Sequence, residues 1–163
     1  MIGGGAVGVE VSLFLAEQGT LSGEELKFLL VSGAESAEEL YHLATIGSKK
    51  ITLVEMIDKL GNNFGKSTRW GMLQDVERYG IATRLEASVF EITPDAVKIK
   101  MAGRIETLAA DTVVLAVGTK AYNPLQKTAA ALGIHCQVVG DADRPATAFE
   151  ATHSGFKAGR GIA

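Results

Sequence analysis

Three glycines near the start of the chain have the spacing of a dinucleotide-binding loop. Gly3, Gly5 and Gly8 follow the pattern G-x-G-x-x-G. In that pattern the first glycine makes a tight turn, the second lets the backbone approach a pyrophosphate, and the third permits close packing of helix on strand. The amides at the start of the following helix then donate to the phosphates. We therefore predict that Gly3, Gly5, Ala6, Val7 and Gly8 contact a dinucleotide.

Glu55 is a second candidate, because it lies at the end of the next predicted strand. An acidic residue at this place in a Rossmann fold accepts hydrogen bonds from the ribose hydroxyls. It usually follows the glycines by about 20 residues, and an insertion at residues 19–50 accounts for the longer separation here. A carboxylate would repel a 2′-phosphate, so Glu55 favours NAD(H). A solvated acid at a strand end is the alternative interpretation.

A third group of candidate residues lies in the last part of the sequence. Asp141 follows Gly140 and precedes a predicted helix that begins near Thr147 and Ala148. Gly-Asp pairs are common in turns, so the pair alone identifies no site. Flavoproteins with two dinucleotide domains, however, bind FAD with such a pair, placed after a buried strand like the one that ends here at Gly118. This order of segments predicts a second dinucleotide-type site, with Gly118, Asp141, Thr147 and Ala148 as its candidate cofactor-binding residues.

The histidines and the single cysteine support no catalytic or metal-binding assignment. His42, His135 and His153 do not share the spacing of a metal site, and surface or packing roles are favoured for them. Cys136 is the single cysteine, which excludes an internal disulfide and a C-x-x-C pair. Its apolar surroundings in the sequence predict a buried, unreactive thiol. We assign no general acid, general base or metal ligand.

The elements that would position these residues are predicted from periodicity and from turn residues. Helices are expected at residues 6–18, 22–31, 36–46, 67–79, 128–132 and 147–159, and strands at 51–56, 81–84, 87–93, 96–101, 104–108, 111–117 and 136–139. The fold class is therefore α/β, a Rossmann-like parallel sheet with an antiparallel β-meander. In the first helix, Val7, Val11, Phe14 and Leu15 share the face that is predicted to pack inward.

The first strand of this sheet is expected to be truncated, since only Met1 and Ile2 precede the glycines. That strand is central in a doubly wound sheet. If that position were vacant, the backbone N–H and C=O groups of the two flanking strands would be unpaired, and each would destabilise the fold by about 1–3 kcal/mol. The position could be filled by Met1 and Ile2 with added residues, by direct approach of residues 51–56 to 112–117, or by residues 136–139 of a second copy. The last alternative predicts a homodimer.

Composition limits the classes of partner. The chain has 163 residues and a formal net charge of −3, which gives no basic surface for nucleic acid. No apolar run has the length of a membrane span, and no secretory leader is recognised. A single cysteine fits a reducing compartment. We therefore expect a cytoplasmic protein without nucleic-acid or membrane partners.

Four segments together resemble the C-terminal region of NADH:flavin oxidoreductases related to 2,4-dienoyl-CoA reductase, 2-enoate reductase and trimethylamine dehydrogenase. They are residues 2–10, 60–70, 113–118 and 139–148, and the resemblance extends over nearly the whole chain. It implies a longer flavoenzyme, with an N-terminal barrel that carries FMN and a 4Fe-4S cluster, followed by an FAD domain that an NAD(P) domain interrupts.

On this resemblance, residues 1–118 are the NAD(P)-binding domain and 119–163 are the returning segment of the FAD domain. The glycine loop and Glu55 would hold NADH, and Asp141 with the nearby amides would meet FAD. Electrons would pass from NADH through FAD and the cluster to FMN, which reduces an activated C=C bond. The barrel, its FMN and cluster, and the first half of the FAD domain would lie in a missing N-terminal part, so the isolated chain is expected to be inactive.

Two alternatives share parts of this pattern. Pyridine-nucleotide oxidoreductases of the ferredoxin reductase or NADH oxidase type have the same domain order, although the insertion and residues 65–70 favour the first family. A structural module that holds ADP without catalysis is the other alternative, because trimethylamine dehydrogenase uses the corresponding region in that way. Glu55 suits ADP and NADH equally.

Overall fold

The structure divides the chain into two units, Met1–Val117 and Gly118–Ala163. It is a computed structural model that describes residues 1–62 and 64–162, apart from the side chain of Lys66. The helices are α1 (Ala6–Ala16), α2 (Gly23–Ser32), α3 (Ala37–Thr45), α4 (Lys66–Arg78), α5 (Leu125–Ala131) and α6 (Ala148–Arg160). The strands are β1 (Thr52–Val54), β2 (Ala82–Arg84), β3 (Ala87–Ile92), β4 (Ala96–Met101) and β5 (Arg104–Ala109). These elements confirm the predicted α/β fold.

The helices of the insertion begin at serines that cap them. The Ser22 hydroxyl accepts from the Glu25 amide, and the Glu25 carboxylate accepts from the Ser22 amide at 2.8 Å. At α3 the Ser36 hydroxyl accepts from the Glu39 amide at 3.1 Å. Each bond satisfies an N–H group that the first helical turn would otherwise leave unpaired. The predicted helices at 22–31 and 36–46 are therefore confirmed.

Ile2 occupies the centre of a parallel sheet. It forms parallel bridges to Val54 on one side and to Leu115 on the other. Its N–H donates to the Val114 carbonyl at 2.9 Å, and its carbonyl accepts from the Ala116 amide at 2.7 Å. β1 then pairs in parallel with β2. Of the three alternatives for the central position, the chain thus uses Met1 and Ile2. The homodimer stays a prediction, but the vacancy that motivated it is filled.

The segment 111–117 was predicted to be a fully buried strand, and this is wrong. Leu115 is 60% exposed and Val117 is 67% exposed, and the pairing is confined to the bridge at Ile2. Within the first unit the segment forms an edge, hydrogen-bonded on one side. An apolar run predicts burial on both faces only where elements cover both faces.

β3, β4 and β5 form the predicted antiparallel meander. Ile99 is fully buried and opposes Val89 on β3 and Glu106 on β5. The inward side chains of the meander pack with Val54 and with the partly buried Ile2. The meander therefore closes one side of the parallel sheet beside the ends of its strands.

The first helix packs through a different face from the predicted one. Val7 and Phe14 are exposed, and the buried positions of α1 are Gly8, Val9, Ser12, Leu13 and Ala16. The reason is steric. The side of α1 that faces the glycine turn lies so close to it that a Cβ atom on Gly8 would be 1.8 Å from the Gly3 carbonyl oxygen, and only a glycine fits there. The Ser12 hydroxyl is buried there and donates to the Gly8 carbonyl at 2.7 Å.

In the second unit, none of residues 118–162 is buried. The helix predicted at 128–132 begins earlier, at Leu125, and α6 matches its prediction within one residue. Residues 136–139 were predicted as a strand and do not form one, and Cys136 was predicted to be buried and is exposed. The described part of this unit contains no strand with which residues 136–139 could pair, and none of its residues is buried.

Candidate functional site

Two glycines of the loop are required by the fold itself. Gly3 has φ +102°, which L side chains rarely adopt, and a Cβ atom there would lie 2.3 Å from the Ala116 carbonyl oxygen. Gly8 must be a glycine because it lies against the Gly3 carbonyl. These two residues therefore set the close contact between strand and helix that the spacing predicts.

Gly5 differs from its neighbours. Its φ of −67° and ψ of −175° are open to any residue, and a Cβ atom would have nothing within 4 Å. Neither its backbone conformation nor the packing of the described residues requires a glycine there. A Cβ atom on Gly5 would project into open space, so the backbone of the loop is not covered by a side chain at this position.

The first turn of α1 offers unpaired donors. The N–H groups of Gly5, Ala6, Val7 and Gly8 form no hydrogen bond to any part of the chain that the structure describes. The turn carries no acidic side chain and no side-chain cap. A helix N-terminus concentrates about half a positive charge at such amides. This end of α1 can accept an anion such as a pyrophosphate.

Glu55 lies beside the glycine loop and contacts it directly. Its Oε2 atom accepts from the Gly4 N–H at 2.5 Å, and its Oε1 atom accepts from the Met56 and Ile57 amides at 2.7 and 3.1 Å. An ionised carboxylate has about four acceptor positions. One position on Oε2 therefore remains for a ligand hydroxyl. The geometry gives Glu55 a role in the loop that the sequence did not indicate.

Gly4 is the residue that sequence reasoning missed. It is buried, and its carbonyl accepts from the Gly61 N–H at 2.7 Å while its N–H donates to Glu55. A Cβ atom on Gly4 would lie 2.4 Å from Leu60 Cδ2 and 2.9 Å from Glu55 Cβ. The G-x-G-x-x-G pattern allows any residue at position 4. The presence of a glycine there was the one sign in the sequence that this position is special.

Gly118, Asp141, Thr147 and Ala148 belong to the second unit, whereas the glycine loop belongs to the first. Gly118 has φ +90°. Asp141 is exposed, and its Oδ1 atom accepts from the Ala146 N–H at 3.4 Å. All four residues are exposed.

The first turn of α6 is already partly occupied. The Glu150 carboxylate accepts from the Thr147 N–H at 3.1 Å and from the Thr147 hydroxyl. Bonding to the Thr147 hydroxyl is the main cause that lowers the pKa of Glu150. A carboxylate at this end competes with any other anion, so α6 presents a weaker anion site than α1.

Residues 1–62 and 64–162 contain no group of three His, Cys, Asp or Glu side chains placed to hold a metal ion. No helix in the described part of the chain has the length and apolarity to cross a membrane. His42, His135 and His153 are exposed, and His153 stacks on Phe149 with ring centroids 5.8 Å apart.

Two curated proteins are similar to nearly the whole chain. A metal reductase of Desulforamulus reducens is 43% identical over 156 residues, and an NADH oxidase of Thermoanaerobacter brockii is 30% identical over 159 residues. Each alignment covers 96% of this chain. The chain spans 23% and 20% of the length of these relatives.

Solved structures and family models agree on the fold. A 2-naphthoyl-CoA reductase, solved as a complex with 2-naphthoyl-CoA, superposes over 99% of this chain and 20% of its own, with a TM-score of 0.71 and 21% identity. The family model for pyridine nucleotide-disulphide oxidoreductases matches residues 1–144. The glycine loop, Glu55 and the parallel sheet that positions them all lie inside this match. The chain therefore belongs to the pyridine nucleotide-disulphide oxidoreductase family.

Proposed function

We propose that the Met1–Val117 unit binds NADH and presents it to FAD within a longer flavin-dependent oxidoreductase. The observation that carries this proposal is Gly5, a glycine that neither its φ angle nor any neighbour within 4 Å requires. A residue without a side chain at that place leaves room for a ligand to approach the backbone. The unpaired amides of the same turn supply donors at that place.

Each residue of the loop has a distinct role in this proposal. Gly3 and Gly8 shape the turn, and the amides of Gly5 to Gly8 donate to the pyrophosphate. The remaining acceptor position of Glu55 takes a ribose hydroxyl. When bound, NADH supplies a hydride, which FAD takes up together with a proton, so two electrons move and NAD⁺ is released. We assign no side chain of this chain to proton transfer.

The second unit is proposed to complete an FAD domain. Its candidate contacts are Gly118, Asp141 and the Ala148 N–H, since the Thr147 N–H already donates to Glu150. The absence of buried side chains among residues 118–162 supports this assignment, because a segment of a larger domain leaves its apolar residues for the rest of that domain to cover. These include Tyr122, Leu132, Phe149 and Phe156.

The chemistry of the whole enzyme is proposed from the resemblance given above. We propose an N-terminal barrel with FMN and a 4Fe-4S cluster, and reduction of an activated C=C bond as the final step. The chain spans only 23% of the metal reductase, which supports a longer enzyme, and the superposed solved structure is named a naphthoyl-CoA reductase, which supports a reductase. The barrel and its cofactors rest on the resemblance alone. Metal ions are an alternative electron acceptor, in line with the name of the first relative.

The test compares two glycine substitutions in the 163-residue chain. Gly5→Ala should leave the free energy of unfolding within about 1 kcal/mol of wild type but weaken NADH binding at least about tenfold, as measured by fluorescence titration. Gly23→Ala is the matched control, because Gly23 begins α2 and also has nothing within 4 Å of its Cβ position. Gly23→Ala should leave NADH affinity unchanged and, like Gly5→Ala, keep the free energy of unfolding within about 1 kcal/mol of wild type.

Two outcomes would count against the proposal. Unchanged NADH affinity in Gly5→Ala would show that no ligand approaches the loop there. Equal wild-type affinity for ADP and NADH would favour the ADP-binding module, because the nicotinamide half would then contribute nothing to binding.

A further inference from the structure

We propose that Arg69 is a positioning residue for nucleotide binding. It holds residues 55–61, the connection that follows β1, against the glycine loop and so fixes the position of the loop. This inference rests on the proposed nucleotide site. It concerns a residue outside the glycine pattern, on the first turns of α4. Arg69 would act through Leu60, Gly61 and Gly4 and would not itself touch the ligand.

A hydrogen bond from Arg69 joins α4 to the connection. Arg69 is half-buried, and its Nε atom donates to the Leu60 carbonyl at 3.0 Å. A charged donor makes a stronger bond to a carbonyl than a neutral one does. The side chains of Met56 to Lys59 are exposed, so that stretch of the connection is not fixed by burial. The bond from Arg69 therefore acts where the connection turns back toward the loop.

The connection contacts Gly4 directly. The Gly61 N–H donates to the Gly4 carbonyl at 2.7 Å, and Leu60 is buried against Gly4. Leu60 Cδ2 lies 2.4 Å from the position of a Cβ atom on Gly4, so Gly4 has no room to move toward it. The position of Leu60 and Gly61 therefore fixes the position of Gly4.

Gly4 is adjacent in the chain to the donors of the site. Gly4 directly precedes Gly5, whose N–H begins the run of unpaired amides at α1. Hydrogen bonds weaken steeply when distance or angle departs from the optimum. A displaced Gly4 would therefore misplace the Gly5 amide, and ligand affinity would fall even though the rest of the fold is intact.

The experiment uses the 15N-labelled chain without ligand, followed by an ADP titration. In Arg69→Met, the Gly61 amide should exchange with solvent about tenfold faster, because a bond of this kind contributes on the order of tenfold or more to an equilibrium. The Ile99 amide in β4 should keep its wild-type rate. ADP affinity should fall about tenfold in the same variant. Arg69→Lys should give a smaller change in both measurements.

Arg78→Met is the matched control, since Arg78 lies on the same helix and pairs with Asp75 instead of the connection. It should leave Gly61 exchange and ADP affinity unchanged. An unchanged Gly61 rate in Arg69→Met would overturn the proposal, and so would equal acceleration of Gly61 and Ile99, which indicates general destabilisation. If Arg69→Met does not fold, Arg69→Lys is decisive, and a wild-type Gly61 rate in it overturns the proposal.

The exchange measurement separates this inference from the proposed function. If the wild-type chain binds no ADP or NADH while Gly61 exchange responds to Arg69 as expected, the nucleotide site fails and the positioning contact stands. If wild type binds ADP and Arg69→Met binds it equally well, the role of Arg69 in binding is wrong.

Discussion

Glu55 Oε2 accepts a hydrogen bond from the backbone N–H of Gly4 at 2.5 Å, so the acidic residue expected at the ribose also holds the glycine loop. The same carboxylate accepts from the Met56 and Ile57 amides. It joins the end of β1 to the turn before α1. Loop structure and ligand recognition therefore depend on one side chain.

Glu55→Gln should destabilise the chain. The amide group of glutamine would turn an N–H donor toward at least one of the backbone N–H groups that Glu55 now accepts from. Loss of such a bond at a partly buried site costs about 1–3 kcal/mol. Urea unfolding measures this loss, and Asp58→Asn is the control, because Asp58 is an exposed carboxylate on the same connection. Equal stability of the two variants would contradict the structural role.

Gly8→Ala should also destabilise the chain, although alanine is the better helix former. The new Cβ atom would lie 1.8 Å from the Gly3 carbonyl oxygen, so the turn or α1 must shift. Overpacking of this kind costs about 1–3 kcal/mol. Gly71→Ala in α4 meets nothing within 4 Å and should instead gain about 0.5–1 kcal/mol. Thermal unfolding of both variants would show opposite shifts, and shifts of the same sign would contradict the steric argument.

The sequence predicted most element positions because their signals are local. Capping serines mark α2 and α3, and alternation marks the meander. The orientation of α1 was not predictable in this way. Apolar side chains occur on several sides of α1, so the pattern alone did not decide which side is buried. A single contact, Gly8 against Gly3, decides it.

The parts of the site that were missed depend on contacts between distant residues. Gly4 meets Glu55, Leu60 and Gly61, which lie more than fifty residues later in the chain. The glycine spacing specifies nothing at that position. The segment 111–117 and Cys136 were misassigned for a related reason, because apolar composition predicts burial without saying which element provides the cover.

The ion pair between Arg84 and Glu106 should contribute modestly to stability. It joins β2 to β5 at 3.1 Å, but the two side chains are 33% and 36% exposed. Solvent screening limits such pairs to about 0.2–1 kcal/mol. A double-mutant cycle with Arg84→Met and Glu106→Gln should give a coupling in this range that shrinks in high salt. A larger, salt-independent coupling would show that the pair is effectively buried.

Acid should loosen the start of α2. Bonding to the Ser22 amide, and then to its hydroxyl, lowers the pKa of Glu25. A lowered carboxyl pKa means that the cap contributes stability above the ordinary glutamate value of about 4.3 and that this contribution is lost as the pH falls through the lowered pKa. NMR shifts of the Ser22 and Glu25 amides should follow this titration. Glu25→Gln should remove it, and a titration that persists in Glu25→Gln would assign it to another group.

NADH should bind more tightly than NADPH. The extra 2′-phosphate of NADPH carries about −1.5 to −2 charges near neutral pH, and on the proposed binding mode it would face the Glu55 carboxylate. Like charges at short range disfavour binding. Isothermal titration of wild type should show the preference, and Glu55→Gln should narrow it by removing the charge while keeping the side-chain shape. Asp58→Asn removes an exposed charge from the same connection and should leave the ratio of the two affinities unchanged. A preference that is as large in Glu55→Gln as in wild type would place the ribose away from Glu55.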